Sequence, residues 1–422
     1  MLKKFRVGVK VFLTIMKVVN ILKKFRVGIN VFLTIMKLLT MDFITKNILV
    51  RTPNQYPVKC KRVAIVVFSR FHMDDERFRL CGSGRMQLEL IKALESCGYT
   101  VLFFGQEDDI IENSNFKDAQ LVVALATAAW RIPHTYKGLV WILTANSNVF
   151  ERGRRNRWIE NKYGLVLHER PVMLKHLYAY KRADVLYIAE NCTGLYHHIF
   201  NGIPSDKIVT YNNCTDLTNF NRSVEYSPNP VGQRKFVAWM TASIRKGLPL
   251  LLNTWINWRT RGGATLTIIG MKTRETDDII AMYSEKLIYC DYISLNFGEN
   301  EYHNLSSVLE KYDVAIFPTF EDAQPSQLLE VAAIGYPIIT TYESGVAFPD
   351  DFCSYISPWY DVSLERALEH WNNSEERILK QASRSSRKYI SENHNWESFG
   401  ERFLLALKKY RVLELNESLE QN

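Results

Sequence analysis

Short, unbroken apolar runs punctuate the chain and alternate with stretches whose apolar positions recur every three to four residues. The runs at 62–68, 100–104, 121–126, 139–144, 184–189 and 207–211 lack the polar alternation of a half-exposed strand. The pattern therefore predicts strands covered on both faces. A second set follows at 236–240, 265–269, 292–297, 314–317 and 338–341. Between runs, Met86, Leu90, Ile91 and Leu94 keep helical spacing ahead of Gly98, and 248–261 and 304–312 also read as helices. Such alternation predicts an α/β architecture with parallel sheets. Glu225 to Lys235, EYSPNPVGQRK, separates the two sets, and its prolines, glycine and polar residues mark a linker. One domain is expected over 60–225 and a second over 235–390, followed by a tail at 391–422.

The most informative stretch is 313–345, DVAIFPTFEDAQPSQLLEVAAIGYPIITTYESG. Val314 to Phe317 reads as a buried strand ended by Pro318, and the loop to Pro325 carries two adjacent carboxylates, Glu321 and Asp322. Ser326 is placed to cap a helix through Leu328, Leu329, Glu330, Ala332 and Ala333. Gly335 ends that helix and Pro337 prevents its continuation. The acidic loop thus sits at the carboxyl end of a strand, where open α/β sheets bind ligands. In the first domain Gly82, Ser83, Gly84 and Arg85 fall between strand and helix. There the glycines allow close backbone approach, and the helix start offers N–H groups to a phosphate.

The joint spacing of Pro318, Asp322, Pro325, Glu330, Ala333, Gly335 and Pro337 resembles the donor-sugar signature of glycosyltransferase family 4. That is a retaining family of GT-B architecture, two Rossmann-like domains facing across a cleft. The resemblance implies that Asp322 orients the donor sugar hydroxyls, with Glu321 beside it as an alternative, and that Glu330 hydrogen-bonds the nucleotide ribose. Pro325 and Ser326 would belong to the same donor-binding turn. Arg245-Lys246-Gly247 resembles the family's phosphate clamp, in which the lysine neutralises the diphosphate leaving group. Arg can support it bidentately. Gly82 and Gly84 correspond to a loop facing the donor diphosphate. The chain also departs from the pattern: the relatives' second clamp arginine falls on Thr241, and a histidine many of them carry falls on Asn146. Residues 393–410, NHNWESFGERFLLALKKY, resemble the family's closing helix, which crosses back to the first domain.

Charge changes the picture at one end. The net +8 is uneven: residues 1–40 hold nine of the 53 bases and no acid, leaving 44 bases against 45 acids elsewhere. A body near neutrality argues against nucleic acid as a partner. Residues 2–17 recur almost unchanged at 22–37, with Lys3, Arg6, Lys10 and Lys17 on one helical face opposite Phe5, Val9, Phe12 and Met16. The expectation for 1–45 is a duplicated basic amphipathic extension lying on an anionic membrane surface. Seven scattered cysteines, none in C-x-x-C spacing, predict reduced thiols without a zinc site, hence a cytoplasmic protein peripheral to a membrane. No D-x-D pair suggests a metal-bridged diphosphate, so no metal and no cofactor beyond the nucleotide-sugar co-substrate is expected.

The sequence thus predicts a glycosyltransferase that moves a sugar from a nucleotide-sugar to a glycan or lipid-linked acceptor. Catalysis is placed on Asp322, Lys246 and Glu330. Three rivals remain: a nucleotide-sugar epimerase of the same fold, a catalytically silent nucleotide-sugar-binding protein, and a nicotinamide-dependent oxidoreductase. The last is disfavoured because Gln87 occupies the third glycine position of G-x-G-x-x-G.

Overall fold

The computed structural model describes residues 63–67, 82–105, 119–133, 135–144, 157–164, 179–180, 182–189, 204–222, 224–258, 260–297 and 305–409. The basic extension and Asn146 lie outside them, as do Arg152, Arg154 and Arg155, which the sequence offers as a basic contact for an anionic acceptor, and the charged run His168-Glu169-Arg170.

Two wholly parallel six-stranded sheets organise the chain. The first contains β1 (Val63–Val67), β2 (Thr100–Phe104), β3 (Leu121–Leu125), β4 (Leu139–Thr144), β5 (Val185–Ala189) and β6 (Ile208–Tyr211). Its spatial order is β2-β1-β3-β4-β5-β6. Helix α1 (Gly82–Ser96) connects β1 to β2, and a short helix α2 covers 157–163. The second sheet contains β7 (Lys235–Trp239), β8 (Thr265–Gly270), β9 (Ile293–Phe297), β10 (Val314–Phe317), β11 (Ile338–Thr341) and β12 (Cys353–Ile356). Its order is β12-β11-β10-β7-β8-β9. Helices α3 (Leu248–Asn257), α4 (Thr276–Leu287), α5 (Leu305–Leu309) and α6 (Ser326–Ile334) are its crossovers. Helices α7 (Asp361–Asn373), α8 (Glu376–Asn393) and α9 (Trp396–Lys409) close the chain.

The unbroken apolar runs have the cause expected of them: VAIF of β10 is buried throughout, and β5 likewise, as parallel strands covered on both faces must be. The two threonines that enter buried β11 are satisfied internally. Thr340 donates to the Phe317 carbonyl at 2.9 Å and Thr341 to that of Thr319 at 2.7 Å, which ties β11 to the end of β10. Strand order reverses between β1 and β3 in one sheet and between β7 and β10 in the other, and such reversals open the crevices in which α/β sheets bind ligands.

Two expectations about local structure are corrected. Gly82, Ser83 and Gly84 are not a turn preceding the helix; they form the first turn of α1 itself. Ser326 does not cap α6. Pro325 occupies that position in extended conformation without a side-chain cap, and Ser326 is the first helical residue. The linker is also more tightly held than its composition suggests. The buried Asp313 carboxylate accepts from Asn229 N at 3.0 Å, Asn229 Nδ2 at 2.9 Å and Lys235 N at 2.7 Å.

The last helix packs on the first domain. Phe399, Phe403 and Leu407 are buried with Trp141, Tyr187 and Tyr211, and Phe403 meets the Trp141 ring edge-on at 5.7 Å. Trp396 joins the rim of this cluster against Phe399. Conversely, Ile159 and Tyr163 of α2 belong to the core of the second domain. Each domain therefore lends a helix to the other.

Candidate active site

The loops after β7 and β10 leave neighbouring strands at the reversal of strand order and are stitched together. Phe320 N and the Thr319 hydroxyl both donate to the Arg245 carbonyl, at 2.9 and 3.0 Å. Gly247 makes this approach possible. Its φ is 84°, and a Cβ there would lie 1.9 Å from the Pro318 carbonyl oxygen. The consequence is electrostatic: the Lys246 ammonium hydrogen-bonds Asp322 Oδ2 in a pair whose side chains are 6% and 14% exposed. Arg245 Nη1 lies 3.5 Å from Asp322 Oδ1 and donates to the Glu321 carbonyl at 2.9 Å. The Lys246 ammonium also stands 5.0 Å above the Phe317 ring centroid. The Asp322 amide donates to the Glu343 carbonyl at 2.7 Å, so the loop after β11 braces the acidic loop from its other side.

Glu330, in α6, is 1% exposed. Its Oε1 accepts from Arg85 Nη2 of the first domain at 2.6 Å, and its Oε2 accepts from the Trp239 indole N–H at 2.8 Å. A buried carboxylate needs such donors, and each oxygen retains acceptor capacity for a further hydroxyl. Gln324 supplies a second cross-domain tie. Its φ of 50° is left-handed, and its side chain accepts from Asn213 N and donates to Asn212 Oδ1, at 2.5 and 3.1 Å. A third tie is apolar: Phe320 of the acidic loop packs with Trp158 and Tyr163 of α2, at 6.2 and 6.3 Å between ring centroids. Beside it Lys162 bridges to Asp361 at 2.8 Å.

His394, between α8 and α9, is tied to the segment after β6. Its Nδ1 pairs with the Asn213 carbonyl at 2.7 Å, and its own carbonyl accepts from Thr215 N at 3.0 Å. Burial pushes its pKa down to about 4, opposed by the Asn213 hydrogen bond and assisted by the positive charge of Arg402. The imidazole is therefore neutral near pH 7. Burial also raises the neighbouring Cys214 thiol to about 12, so it is a packing group rather than a reactive thiolate. Cys214, Cys290 and Cys353 are in no disulfide.

Of the residues predicted from sequence, Asp322, Lys246, Arg245 and Glu321 form one cluster with Pro325 at the start of α6. Glu330 lies within α6 facing Arg85, and Gly82 and Gly84 lie in the first turn of α1, the turn that leads into Arg85. Ser326 is half-buried at the head of α6. Sequence reasoning did not single out Trp239, Gln324, Asn213 or His394, and it treated Arg85 only as part of a turn. Arg85 was the findable one: a cation directly after a glycine pair at a predicted helix start. Among the described residues no three metal-ligating side chains gather, and no helix is long and apolar enough to cross a membrane.

Residues 235–351 match the family described as glycosyl transferases group 1, a span containing Arg245, Lys246, the acidic loop and Glu330. No curated protein sequence matches the chain. Among solved structures, sucrose-phosphate synthase from Thermosynechococcus elongatus is similar with a TM-score of 0.63 at 13% identity, over 83% of this chain and 100% of that one. HepE of Anabaena, solved in complex with UDP-glucose, is similar at 0.60 and 10%, over 82% and 99%. WaaG, described as a glycosyltransferase involved in lipopolysaccharide biosynthesis, is similar at 0.55 and 15%, over 81% and 98%. The resemblance read from the acidic loop, the two-domain GT-B architecture and the reading of the chain as a glycosyltransferase are thereby borne out.

Proposed function

We propose, taking the group 1 glycosyltransferase match over 235–351 as premise, that the chain transfers a sugar from a nucleotide-sugar to a glycan or lipid-linked acceptor. The transfer proceeds with retention and without a metal. What carries the reading is the meeting of Lys246 with Asp322 where β7 and β10 mark the reversal of strand order, with Glu330 buried in the helix that follows β10. Ribose hydroxyls then donate to the open lone pairs of Glu330, and the diphosphate takes Lys246 and Arg245 from Asp322. Released from these cations, Asp322 accepts from the sugar hydroxyls.

Cleavage of the sugar–phosphate bond builds negative charge on the departing diphosphate and positive charge at the anomeric carbon. A preplaced ammonium in a water-poor cleft stabilises the former where it develops. The acceptor hydroxyl attacks from the face the diphosphate leaves, bonding to the anomeric carbon as the sugar–phosphate bond breaks and giving its proton to the departing phosphate oxygen. The basic residues of 1–40 seat the enzyme on an anionic membrane, which brings lipid-linked acceptors to the cleft. HepE was solved with UDP-glucose, which makes UDP-sugars the first donors to assay.

The test is donor turnover by the purified chain. Lys246→Ala and Glu330→Gln are expected to lower transfer or donor hydrolysis by about 10²-fold or more, a range typical of lost transition-state donors, while circular dichroism stays native. EDTA is expected to leave the rate unchanged. Wild-type turnover in both variants contradicts the assignment. Interconversion of the donor without an acceptor supports the epimerase instead, and binding with neither hydrolysis nor transfer supports a silent binding protein.

A further inference from the structure

We propose that Arg85, carried by the first domain, is a ligand of the donor diphosphate, and that it binds Glu330 until the donor arrives. This rests on the reading of the cleft as a nucleotide-sugar site, and it adds the residue through which the ligand joins the two domains.

The first ground is the distribution of charge. Lys246 and Arg245 both lie against the one carboxylate of Asp322. Together with Glu330, these groups of the second domain are two carboxylates, Asp322 and Glu330, and two cations, Lys246 and Arg245. That surface by itself does not favour a diphosphate. Among the described residues Arg85 adds a third cation, from the opposite domain, to this group. Its side chain is 12% exposed, which places the guanidinium within the cleft and not at its rim. It also sits beside the first turn of α1, whose amides and dipole favour negative charge in the same volume.

The second ground is that Glu330 has two independent holders. The Trp239 indole grips Oε2 at 2.8 Å whether or not Arg85 is on Oε1. Arg85 can therefore leave without freeing the carboxylate. The exchange balances: Glu330 gives up a guanidinium N–H and gains ribose hydroxyls, while Arg85 gives up a carboxylate and gains phosphate oxygens. Ribose and 5′-diphosphate adjoin in one molecule, so a guanidinium touching the ribose-binding carboxylate already stands next to the phosphates. The planar fork of arginine suits two phosphate oxygens at once. Because Arg85 belongs to one domain and Lys246 to the other, donor binding would also hold the cleft shut.

Calorimetric titration of the full chain with UDP, GDP and ADP and the corresponding monophosphates tests this. The wild type is expected to bind one diphosphate more tightly than its monophosphate. Arg85→Ala should lower diphosphate affinity by about tenfold or more, the scale of one lost charge-assisted hydrogen bond, and leave monophosphate affinity within about twofold. Arg85→Lys, which keeps the charge but not the fork, should fall between them. If the alanine variant melts early, the same comparison of mono- and diphosphate is made on the lysine variant. Equal losses for mono- and diphosphate would overturn the proposal, since Arg85 would then act only by positioning Glu330; no loss in either variant overturns it as well. If no nucleotide binds the wild type, the reading of the cleft fails, and this proposal fails with it.

Discussion

At the residue scale, the central contact joins Lys246 to Asp322 across 76 positions of sequence. Both side chains are largely withdrawn from water, so deleting one partner strands the other. Asp322→Ala is expected to cost about 3 kcal/mol of stability, read as a lower melting temperature, and adding the preferred diphosphate should restore much of it by supplying Lys246 with a new anion. His394 makes a separate prediction. Its folded pKa, about 4, lies below the ordinary imidazole value, so below neutrality the unfolded chain binds more protons than the native one. Stability contributed by the neutral ring is complete above about pH 6.5 and lost progressively as pH falls toward 4, by about 3 kcal/mol in all. Melting curves across that window should fall less steeply for His394→Asn than for the wild type; parallel curves contradict the assignment.

At the element scale, two glycines show how backbone geometry sets the site. Gly335 ends α6 with φ of 96°, as the sequence predicts, because glycine followed closely by proline is a stop signal visible in one dimension. Gly247 is different: the need for it lies in the Pro318 carbonyl, which only the folded chain brings near. Gly247→Ala should cost about 2 kcal/mol or more through left-handed strain and the clash. It should also weaken donor binding by pushing Lys246 away from Asp322; unchanged affinity at lower stability would separate the glycine from the clamp. The strands were legible because a buried parallel strand must be apolar throughout, as VAIF and VLYIA are. The start of α1 was not legible. Glycines disfavour helix interiors and read as a turn, yet Gly82 and Gly84 are held helical at the head of an element anchored by Leu90 and Leu94 against the sheet.

At the scale of the whole molecule, three ties converge on 320–330: Arg85 on Glu330, Asn212 and Asn213 on Gln324, and Trp158 with Tyr163 on Phe320. None was readable as a pair. Arg85 and Glu330 are 245 residues apart, and periodicity identifies elements without saying which of them become neighbours. The family resemblance named candidate residues mainly in the second domain because its signature is local, whereas the first domain's contacts to that site are spread over α1, α2 and the segment after β6. The extension carries its own test: a chain lacking residues 1–40 is expected to stop co-sedimenting with phosphatidylserine vesicles that retain the full chain at low salt. Co-sedimentation of both would move the membrane contact elsewhere.

One titration decides whether the cleft is a donor site: UDP-, GDP- and ADP-sugars added to the wild type and to Lys246→Ala. One sugar nucleotide should bind the wild type, with its affinity lowered about tenfold or more in the variant, as removal of a phosphate-bound ammonium requires. Binding of none of them, or binding that Lys246→Ala leaves untouched, would mean that the crevice where β7 meets β10 is not the donor site.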